Sequence, residues 1–570
     1  MKVVLKHAGK WLCFSQPEQV LWAERVDQVL PMILEAETSE LYAAGFIAYE
    51  AAAAFDDVLL TRSSEGFPLL CLGLFRAPEV LEDIEDTPNA HYKIGPLTPS
   101  ISRNEYVSAI AKIKALIAEG ATYQVNYTYR LNADFAGDAW AFFHALVKDQ
   151  KTEHAVFVEV DDFAICSASP ELFFSLNDGT ITSRPMKGTA RRGRTFSEDL
   201  QRAEALRKSE KDCSENIMIV DMIRNDIGRI AEPGSIKTIS VFDVEKYPTV
   251  WQLTSTVTGR TDAPVSAILK ALFPCASITG APKTKTMELI AGLEHRPRRI
   301  YTGTIGFLTP QGEASFNVAI RTALIDQKSG KLEYGVGGGI VWDSDAKSEY
   351  EETLLKARVL TRPRPDFQLL ETMLWEPGSG VYLLDSHFQR LGKSAAYFDI
   401  PLDVPAVQGK LDQTLQNIVQ VPHRIRLLLS RDGGFEIQSS QILQLPDECI
   451  TVALGKKPVN SQDVFLFHKT THRFVYDQAK ADFPNCDEVI LWNERGEVTE
   501  GCIANVVIRK DRKLITPPVE CGLLEGVFRG QLLANSTIEE RVILVDDLKA
   551  ADDIFLVNSV RKWQKALLLN

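Results

Sequence analysis

The chain has 570 residues, of which 45% are hydrophobic and 24% are charged, and these values are ordinary for a globular protein. They exclude a disordered tail, a fibrous repeat and a small disulfide-stabilised scaffold. At about 150 residues per domain, the length predicts two to four domains. The net charge of −13 argues against a nucleic-acid or membrane-surface partner. An anionic substrate would therefore need a local source of positive charge.

Several features predict a cytoplasmic protein. The first residues do not have the pattern of a signal peptide, and no uninterrupted apolar run is long enough to cross a membrane. The nine cysteines are scattered and none forms a CxxC pair. This usage is typical of reduced thiols.

A proline-rich segment, Thr361-Arg-Pro-Arg-Pro-Asp-Phe367, divides the chain. Its prolines cannot continue a helix and favour an extended linker. The pattern predicts a helix before it, over Ser348–Leu360, and a strand after it, over Phe367–Leu374. We therefore expect one domain over residues 1–361, a linker over 362–366 and a second domain over 367–570.

Helical and strand-like patterns alternate in both domains, which predicts an α+β fold class throughout. In the first domain the predicted elements are a helix over Tyr106–Glu119, strands over Ala155–Val160 and Ile165–Phe174, and a helix over Asp212–Gly228. In the second they are strands over Arg424–Leu429, Glu488–Trp492 and Ile503–Ile508, and a helix over Val527–Leu533.

Three charged residues near the end of the first domain are spaced for one helix face: Glu349, Glu352 and Lys356. Two such carboxylates suit Mg²⁺, which needs only one or two protein carboxylates plus substrate oxygens. A lysine one turn later can bind a substrate carboxylate. The same spacing is also typical of a solvated face with an i,i+4 ion pair, so spacing alone leaves both interpretations open.

Other residues in this domain predict a locally positive pocket. The glycines Gly337–Gly339 precede a strand-like run, where their N–H groups can form an anion-binding nest. Arg321 follows an apolar run and would be costly to bury without an anion. Lys187 lies between a strand-like run and a glycine, and a desolvated lysine can act as nucleophile or base. With Lys356, these groups can attract an anionic substrate.

Taken together and in this order, the motifs resemble those of the chorismate-utilising enzymes over nearly all of residues 1–360. The resemblance implies a large domain of β-sandwich and helices. Anthranilate synthases usually have alanine at the position of Lys187, whereas the aminodeoxychorismate synthase branch has lysine. The matching segments are Tyr123–Asn126, Ser169–Leu172, Pro185–Thr189, Asp221–Asp226, Ser277–Lys283, Ile320–Thr322 and Glu349–Thr353.

The resemblance implies a mechanism and a set of site residues. Lys187 would add to C2 of chorismate and expel the C4 hydroxyl, after which ammonia would enter at C4 and the lysine would leave. Glu215, Glu349 and Glu352 would surround Mg²⁺. The implied substrate-binding residues are Thr279, Gly280, Tyr301, Arg321, Gly337, Gly338 and Lys356.

The sequence departs from this family's pattern at several positions. Many members have histidine at the position of Gln252, which can hydrogen-bond but cannot accept a proton. Ala121 stands where aspartate is usual, and Phe273-Pro-Cys-Ala-Ser277 replaces the family's FPGGS. The sequence has no GxCxG nucleophile elbow of a glutaminase. We therefore expect ammonia to come from a separate glutamine amidotransferase subunit or from free ammonium.

In the second domain, Phe467-His-Lys-Thr470 is predicted to end a strand, and Glu488–Val498 to form a hairpin. Lys469 alone is compatible with a surface cation as well as with a Schiff-base lysine. The surrounding motifs resemble those of fold-type IV pyridoxal-phosphate enzymes over about residues 367–563. The other matching segments are Glu371-Thr372, His387–Leu391, Ser394-Ala395, Thr499–Asn505, Gly522–Arg529 and Phe555–Ser559.

This second resemblance implies an α+β domain that binds pyridoxal 5′-phosphate. Lys469 would form the Schiff base, and Glu500 would pair with the pyridine nitrogen. Either Arg431 or Arg561 would meet a substrate carboxylate. The family's usual N-terminal strand and Gly-Asp-Gly segment are missing before Glu371. The phosphate would be bound by Arg390, Leu524, Val527 and Ser559.

The fusion of the two domains favours aminodeoxychorismate lyase as the second activity, because that enzyme consumes the product of the first. The expected function is the synthesis of 4-aminobenzoate for folate, with pyruvate as the second product. Two alternatives remain open: an anthranilate synthase component fused to an aminotransferase, and a synthase whose second domain is inactive and binds a partner. Fold-type IV enzymes are often dimers, so a homodimer is also possible.

Overall fold

The structure is a computed structural model that describes residues 1–85, 87, 90–150, 152–361, 365–442 and 449–569. The chain forms two compact units, Met1–Arg191 with Ala203–Arg364 and Arg192–Arg202 with Pro365–Asn570. Residues 192–202, which the predicted first domain includes, thus pack in the second unit. Most of the predicted linker, residues 362–364, lies outside the described residues.

The first unit contains two large sheets. Its strands in chain order are β1 (Lys2–His7), β2 (Lys10–Ser15), β3 (Gln19–Ala23), β4 (Tyr42–Ile47), β5 (Leu70–Phe75), β6 (Glu79–Leu81), β7 (Tyr92–Ile94), β8 (Thr98–Pro99), β9 (Gln124–Gly137), β10 (His154–Val160), β11 (Phe163–Ser169), β12 (Leu172–Asn177), β13 (Thr180–Arg184), β14 (Met186–Arg191), β15 (Lys237–Lys246), β16 (Val250–Arg260), β17 (Gly280–Ala281), β18 (Thr304–Leu308), β19 (Ala314–Val318), β20 (Thr322–Asp326) and β21 (Lys331–Ile340).

One sheet runs in the order β17-β9-β21-β20-β11-β10-β1-β2-β6, with β7 and β8 also beside β9. The other runs in the order β14-β16-β13-β12-β19-β18-β4-β5-β3, with β15 beside β16. The helices before the second unit's main segment are α1 (Val26–Thr38), α2 (Ala52–Phe55), α3 (Arg103–Ala118), α4 (Ala139–Gln150), α5 (Phe196–Arg207), α6 (Glu210–Gly228), α7 (Val265–Leu272), α8 (Lys283–Leu293) and α9 (Ala346–Thr361).

Side-chain alternation along the strands explains how these layers pack. Val3 and Leu5 of β1 lie in one apolar core with Phe46 of β4, so the two sheets face each other as a sandwich. Val4, between them, faces a second core that includes residues of α3 and α4. A third core covers the outer face of the other sheet with α1, α6 and α7. Strands buried on both faces are nearly continuously apolar, as β5 (Leu-Cys-Leu-Gly-Leu-Phe) is.

The second unit has a smaller sheet in the order β23-β22-β24-β25 and a larger one in the order β28-β27-β26-β33-β32-β29-β30-β31. These strands are β22 (Leu369–Glu376), β23 (Gly380–Val381), β24 (His423–Leu429), β25 (Phe435–Gln441), β26 (Ile450–Leu454), β27 (Glu488–Trp492), β28 (Val498–Gly501), β29 (Asn505–Lys510), β30 (Lys513–Thr516), β31 (Glu539–Glu540), β32 (Asp553–Asn558) and β33 (Lys562–Leu568). The helices are α10 (Leu384–Phe398), α11 (Val404–Gln416), α12 (Phe474–Ala481), α13 (Val527–Ala534) and α14 (Val545–Lys549).

The predicted helices are confirmed as α3, α6, α9 and α13, and the predicted fold class is confirmed as mixed α and β in both units. The β-rich run predicted over Ile165–Phe174 is confirmed, although the structure divides it into two strands. It consists of β11 and β12, separated at Pro170, which cannot donate a ladder hydrogen bond. In the described part of the chain, no helix is long and apolar enough to span a membrane.

Candidate active sites

A cavity of about 350 Å³ lies in the first unit, with walls from β9, β14, β21, α6 and α9. It brings together residues that are far apart in the sequence. The predicted site residues that line it are Lys187, Glu215, Tyr301, Arg321, Gly337, Gly338, Glu349, Glu352 and Lys356.

Lys187 extends from β14 into this cavity. Burial in the cavity wall lowers the pKa of its amine, although the carboxylates of Glu215 and Glu171 oppose the shift. Gly339 leaves the space that the amine needs, because a Cβ atom there would lie 2.8 Å from Lys187 Nζ. A larger fraction of this amine is therefore neutral, and able to act as a nucleophile, than for a lysine in water.

The face of α9 carries the predicted carboxylates and lysine together. Glu349 Oε1 accepts a hydrogen bond from Ser344 Oγ at 2.8 Å. Lys356 Nζ lies 2.8 Å from Glu352 Oε1 and donates to the Gly337 carbonyl oxygen at 2.9 Å. The i,i+4 ion pair that the spacing allowed is therefore present, between Glu352 and Lys356. The side chains nevertheless line the cavity and do not form a solvated helix face. Burial acts to lower the pKa of Lys356, yet Glu352 outweighs it and the pKa is raised.

Arg321 reaches the cavity from the turn between β19 and β20. Its φ of 49° places a non-glycine residue in the left-handed region, which costs about 1 kcal/mol or more. Its Nη1 donates to Gln150 Oε1 at 3.0 Å, and its guanidinium lies 5.3 Å from the centre of the Tyr247 ring. Burial lowers the pKa of this arginine. The guanidinium is thus held at the cavity by neutral partners.

The predicted glycine nest is wrong. Gly337 and Gly338 lie inside β21, paired with Thr128 and Tyr127 of β9, and do not precede a strand. Their lack of a side chain serves close packing, because a Cβ atom at Gly337 would lie 2.4 Å from the Tyr127 carbonyl oxygen. The glycines therefore shape the cavity wall and do not form an anion-binding turn.

Thr279 and Gly280 lie outside the lining, as the described residues define it. The Thr279 hydroxyl donates to backbone carbonyl oxygens of Cys275 and Ala276, at 3.3 Å and 3.2 Å. Gly280 pairs with Val125 in the short strand β17. The nearby Ser277, by contrast, does line the cavity. The predicted direct contact of Thr279 and Gly280 with substrate does not agree with this arrangement.

Glu171 is a cavity residue to which the sequence pattern gave no role. It follows Pro170 in the break between β11 and β12, and its Oε1 accepts a hydrogen bond from Ser277 Oγ at 2.6 Å. Burial raises the pKa of this carboxyl to about 7, although Ser277 and Lys187 oppose the shift. It can therefore carry a proton near neutral pH. The pattern also missed Asn126, Lys211, Asp212, Ser277 and Tyr334.

The charges lining this cavity nearly cancel, in contrast to the positive pocket predicted from the sequence. The basic groups are Lys187, Lys211, Arg321 and Lys356, and the acidic groups are Glu171, Asp212, Glu215, Glu349 and Glu352. Burial raises the pKa of Glu215 and of Glu349. Among the described residues, no group of three or more His, Cys, Asp or Glu side chains is already arranged to hold a metal ion. A dianionic substrate would thus need an added cation, and substrate oxygens would have to complete its coordination.

A second cavity, of about 280 Å³, lies in the second unit and is lined by Lys469 and Glu500. Lys469 follows a short 3₁₀ turn, Val464–Leu466, so the prediction that it ends a strand is wrong. A hydrogen bond holds its backbone in place: the Lys469 carbonyl oxygen accepts from the Leu370 N–H at 2.9 Å. Burial, reinforced by Arg390, lowers the pKa of the Lys469 amine to about 8.

Glu500 is a buried carboxyl on β28. Tyr476 donates to its Oε1 at 2.7 Å and Asn505 to its Oε2 at 3.2 Å. Burial nevertheless raises its pKa to about 7, because these partners are neutral. A protonated ring nitrogen beside this carboxyl would supply the missing positive charge.

The second cavity is also lined by groups that suit a phosphate, including Arg390 and Val527. Helix α13 begins at Val527, and an α-helix presents free N–H groups and a partial positive charge at its N-terminus. Arg390 is fixed by Glu371 through hydrogen bonds of 2.9 Å and 2.6 Å. Burial would raise the pKa of Glu371, but Arg390 and His387 outweigh it and hold the pKa at about 2. Leu524 and Ser559 also line the cavity, as predicted.

Several arginines surround the same cavity. Arg561 lines it, whereas Arg431 lies outside the lining and over the ring of Phe367, 5.9 Å from the ring centre. Of the two predicted arginines, only Arg561 is thus placed to meet a substrate carboxylate. The sequence pattern missed Arg424, Arg426 and Arg473, which also line the cavity.

Residues 6–362 match the family model described as chorismate binding enzyme. The chain belongs to this chorismate-binding family. Residues 368–567 match the amino-transferase class IV family, and this class implies pyridoxal 5′-phosphate as the cofactor of the second unit. Both resemblances inferred from the motifs are therefore confirmed.

Individual relatives of this chorismate-binding protein resemble only part of it. Aminodeoxychorismate synthase component 1 of Salmonella typhimurium is 41% identical over 266 residues, which are 46% of this chain and 58% of that protein. Anthranilate synthase component 1 of Cereibacter sphaeroides is 34% identical over 300 residues, 51% of this chain and 59% of that protein. The chain therefore spans somewhat more than half the length of these curated relatives.

Among solved structures, anthranilate synthase component I from Streptococcus pneumoniae matches 64% of this chain and 92% of its own. The TM-score is 0.53 and the sequence identity is 25%. The chorismate-binding unit thus has the fold of that enzyme.

Proposed function

We propose that the chain is a bifunctional enzyme that makes 4-aminobenzoate. The first unit converts chorismate and ammonia to 4-amino-4-deoxychorismate, and the second removes pyruvate from that product. One observation carries the proposal: Lys187, whose pKa is lowered, projects into the chorismate-type cavity of a chain that also holds a class IV lysine, Lys469. The higher identity to aminodeoxychorismate synthase than to anthranilate synthase supports the choice.

The proposed first reaction proceeds by two displacements on the chorismate ring. The neutral Lys187 nitrogen forms a bond to C2 while the ring electrons shift and the C4–O bond breaks. Glu171, with a pKa of about 7, is the group that can protonate the departing oxygen, so that it leaves as water. Ammonia then forms a bond to C4 while the C2–nitrogen bond breaks, so that Lys187 leaves as the neutral amine with which it began. The new ammonium at C4 returns one proton to Glu171.

The carboxylate groups of the substrate need positive charge in a cavity whose own charges nearly cancel. Arg321 and Lys356 can each hold carboxylate oxygens. Glu215, Glu349 and Glu352 are oxygen ligands of the kind that Mg²⁺ prefers, and substrate oxygens would complete the coordination. We propose Mg²⁺ as the cation that offsets the charge of the dianionic substrate.

Ammonia enters this scheme from outside the two cavities. The sequence has no glutaminase nucleophile elbow, and the component 1 relatives bear a name that implies a second component. We therefore propose a separate glutamine amidotransferase as partner, with free ammonium able to substitute for it in a test tube. A homodimer remains a proposal from the class IV resemblance.

In the second unit, bound pyridoxal 5′-phosphate supplies an electron-withdrawing ring that makes a substrate C–H bond acidic. Lys469 Nζ, with a pKa of about 8, can accept that proton and return it near neutral pH. When the cofactor is bound, Glu500 would pair with its ring nitrogen, and Arg390, Ser559 and the N-terminus of α13, which line the cavity, would hold its phosphate. Arg561 is placed to hold a substrate carboxylate.

One assay tests both halves. The purified chain is given chorismate, Mg²⁺, ammonium and pyridoxal 5′-phosphate, and the products are separated by chromatography. We expect 4-aminobenzoate and pyruvate in equal amounts. Anthranilate would instead support the alternative of an anthranilate synthase component. Accumulation of 4-amino-4-deoxychorismate with the cofactor present would support an inactive second unit.

A further inference from the structure

A segment inside the chorismate-binding sequence, which includes the first turns of α5, belongs structurally to the second unit. Residues 192–202 follow β14, which carries Lys187, and precede α6, which carries Glu215, yet they fold with Pro365–Asn570. We call these residues the strap. The chorismate-binding family match runs through them without interruption. The second unit is therefore assembled from two separate parts of the sequence.

A buried ion pair closes the strap on itself. The Arg192 guanidinium donates to Asp199 through Nε at 2.8 Å and through Nη2 at 2.7 Å. The Gly193 N–H donates to the same carboxylate at 2.8 Å. Both side chains of the pair are almost completely buried. Such a forked, charge-assisted pair fixes the geometry of the strap. Removing one partner would leave the other as an unpaired buried charge.

Tyr397, on α10, fastens the strap to the rest of the unit. Arg192 Nη2 donates to the Tyr397 carbonyl oxygen at 2.9 Å, and Tyr397 OH donates to the Gly193 carbonyl oxygen at 2.7 Å. The guanidinium also lies 4.5 Å from the centre of the Tyr397 ring. Phe196 adds apolar contact with the core that contains Tyr397. The strap is thus held by polar and apolar contacts together.

The strap contacts His468, the residue that precedes Lys469 in the chain. His468 Nε2 lies 3.1 Å from the Arg194 carbonyl oxygen, and Nδ1 lies 2.9 Å from Ser394 Oγ. Because a carbonyl oxygen only accepts, Nε2 must carry the hydrogen and Nδ1 must accept from Ser394. Burial lowers the pKa of His468 to about 3, so the ring stays neutral. The strap therefore selects one tautomer and one ring orientation.

We propose that the strap, through the Arg194 carbonyl and His468, is a positioning element for Lys469. His468 and Lys469 are adjacent, and both line the second cavity. The His468 ring is packed 4.4 Å from the centre of the Tyr397 ring and 4.8 Å from that of Phe398. A histidine that is hydrogen-bonded at both nitrogens and packed against two aromatic rings limits the backbone rotation that would move the lysine. This inference rests on the proposed role of Lys469 in holding the cofactor.

The test uses the full chain and titrates it with pyridoxal 5′-phosphate while the visible absorbance of the bound cofactor is recorded. His468→Leu removes the donor to Arg194, whereas His468→Gln keeps an amide N–H that can reach the same carbonyl. We expect His468→Leu to weaken cofactor binding about tenfold, the effect of one lost buried hydrogen bond, and to alter the absorbance spectrum. We expect His468→Gln to restore most of both.

Asp199→Ala supplies a second variant, which acts on the strap without touching residues 365–569. It should also weaken cofactor binding, and trypsin should cleave it faster after Arg192, Arg194 or Arg202. Glu204→Gln is the matched control, because it breaks only the exposed ion pair between Glu204 of α5 and Lys208, at 2.9 Å, and both residues lie outside the strap.

Each remaining outcome overturns the proposal. Unchanged binding and spectra in His468→Leu would do so, and so would equal losses in His468→Leu and His468→Gln, which indicate packing alone. The proposal would also be overturned if trypsin cut the strap rapidly in Asp199→Ala while cofactor binding stayed unchanged. A wild-type chain that binds no cofactor at all would overturn the proposed second activity as well, and this result is recognised before any variant is made.

Discussion

At the scale of single residues, Lys187 is the group on which the first reaction depends most. Its amine is the nucleophile of the proposed first displacement, and no bond to C2 can form without it. Lys187→Ala should lower the rate of 4-amino-4-deoxychorismate formation by more than about a hundredfold. The measurement is steady-state product formation with chorismate, Mg²⁺ and ammonium. Lys208→Ala, which removes an exposed lysine, is the control. Full activity in Lys187→Ala would contradict the covalent mechanism.

Glu171 gives the first reaction an expected pH dependence. Burial raises the pKa of its carboxyl from the usual range to about 7, so the carboxyl is protonated below that pH and ionised above it. A role in protonating the leaving oxygen therefore predicts a rate that falls as the pH rises through about 7. Glu171→Gln should be slower by about a hundredfold and should lose this alkaline limb. A pH–rate profile of chorismate consumption checks both, and a limb that persists in Glu171→Gln would assign it to another group.

Individual residues also mark the limit of what the sequence could predict. Arg321 and Lys187 were found because a charged side chain beside an apolar or strand-like run needs a partner or a ligand. Lys356 was found from its helical spacing with Glu349 and Glu352. Glu171 was missed because Ile165–Phe174 has the pattern of one strand, in which it is only an interruption. Thr279 was assigned to the substrate by resemblance, although its hydroxyl is occupied by local carbonyl oxygens. Such differences depend on side-chain direction, which a linear pattern does not contain.

At the scale of elements, β21 has two roles. It pairs with β9, and its glycines leave space in the wall of the first cavity. The sequence predicted a turn-like nest for its glycines because glycine runs commonly allow left-handed backbone. The residues are instead extended and paired along β9. Three neighbouring glycines without a turn are explained by the groups that lie close to their backbone, which leave little or no space for side chains. Only the folded sheet shows which groups these are.

Gly339→Ala tests that clearance. The new methyl group would lie 2.8 Å from Lys187 Nζ and 2.3 Å from Gln124 Nε2, so the lysine must move. We expect a loss of at least about tenfold in the first reaction, with a destabilisation of about 1–3 kcal/mol. Kinetics and thermal unfolding are measured together. The control is Gly292→Ala on α8, where no atom lies within 4 Å of the added methyl group. Equal activity in the two variants would contradict the prediction, because it would mean that a methyl group at position 339 does not displace Lys187.

The strap is the element that the sequence could least predict. Its residues read as part of the chorismate-binding family, and the family model matches through them. Their assignment to the second unit depends on Tyr397 and His468, which are about two hundred residues or more away in the chain. A pattern over a short window cannot contain contacts of that separation. The boundary over residues 362–366, by contrast, is a prediction from the local sequence alone, because prolines act on the local backbone.

At the scale of the whole molecule, the net charge of −13 does not describe either cavity. The first cavity has nearly balanced charges, and the second is rich in arginine: Arg390, Arg424, Arg426, Arg473 and Arg561. The general surface therefore carries most of the negative charge. Under the proposed function, the arginines would attract an anionic substrate in the second unit, whereas the proposed Mg²⁺ would offset the carboxylates in the first.

The lining residues of each cavity come from a single unit, which predicts that the two reactions can be separated. Lys469→Ala removes the lysine of the second cavity and leaves every lining residue of the first unchanged. We expect this variant to consume chorismate at the wild-type rate when ammonium and Mg²⁺ are supplied. It should release 4-amino-4-deoxychorismate without pyruvate or 4-aminobenzoate, and it should lack the visible absorbance of bound cofactor.

Lys457→Ala is a suitable control for this variant, because it removes an exposed lysine of the same unit. The diagnostic quantity is the ratio of chorismate consumed to pyruvate released, which should approach one in wild type and in the control. In Lys469→Ala, chorismate consumption should continue while pyruvate release stops. A parallel fall in chorismate consumption would mean that the first cavity requires the second lysine, because no other lining group has changed, and the two catalytic units could then no longer be treated as independent.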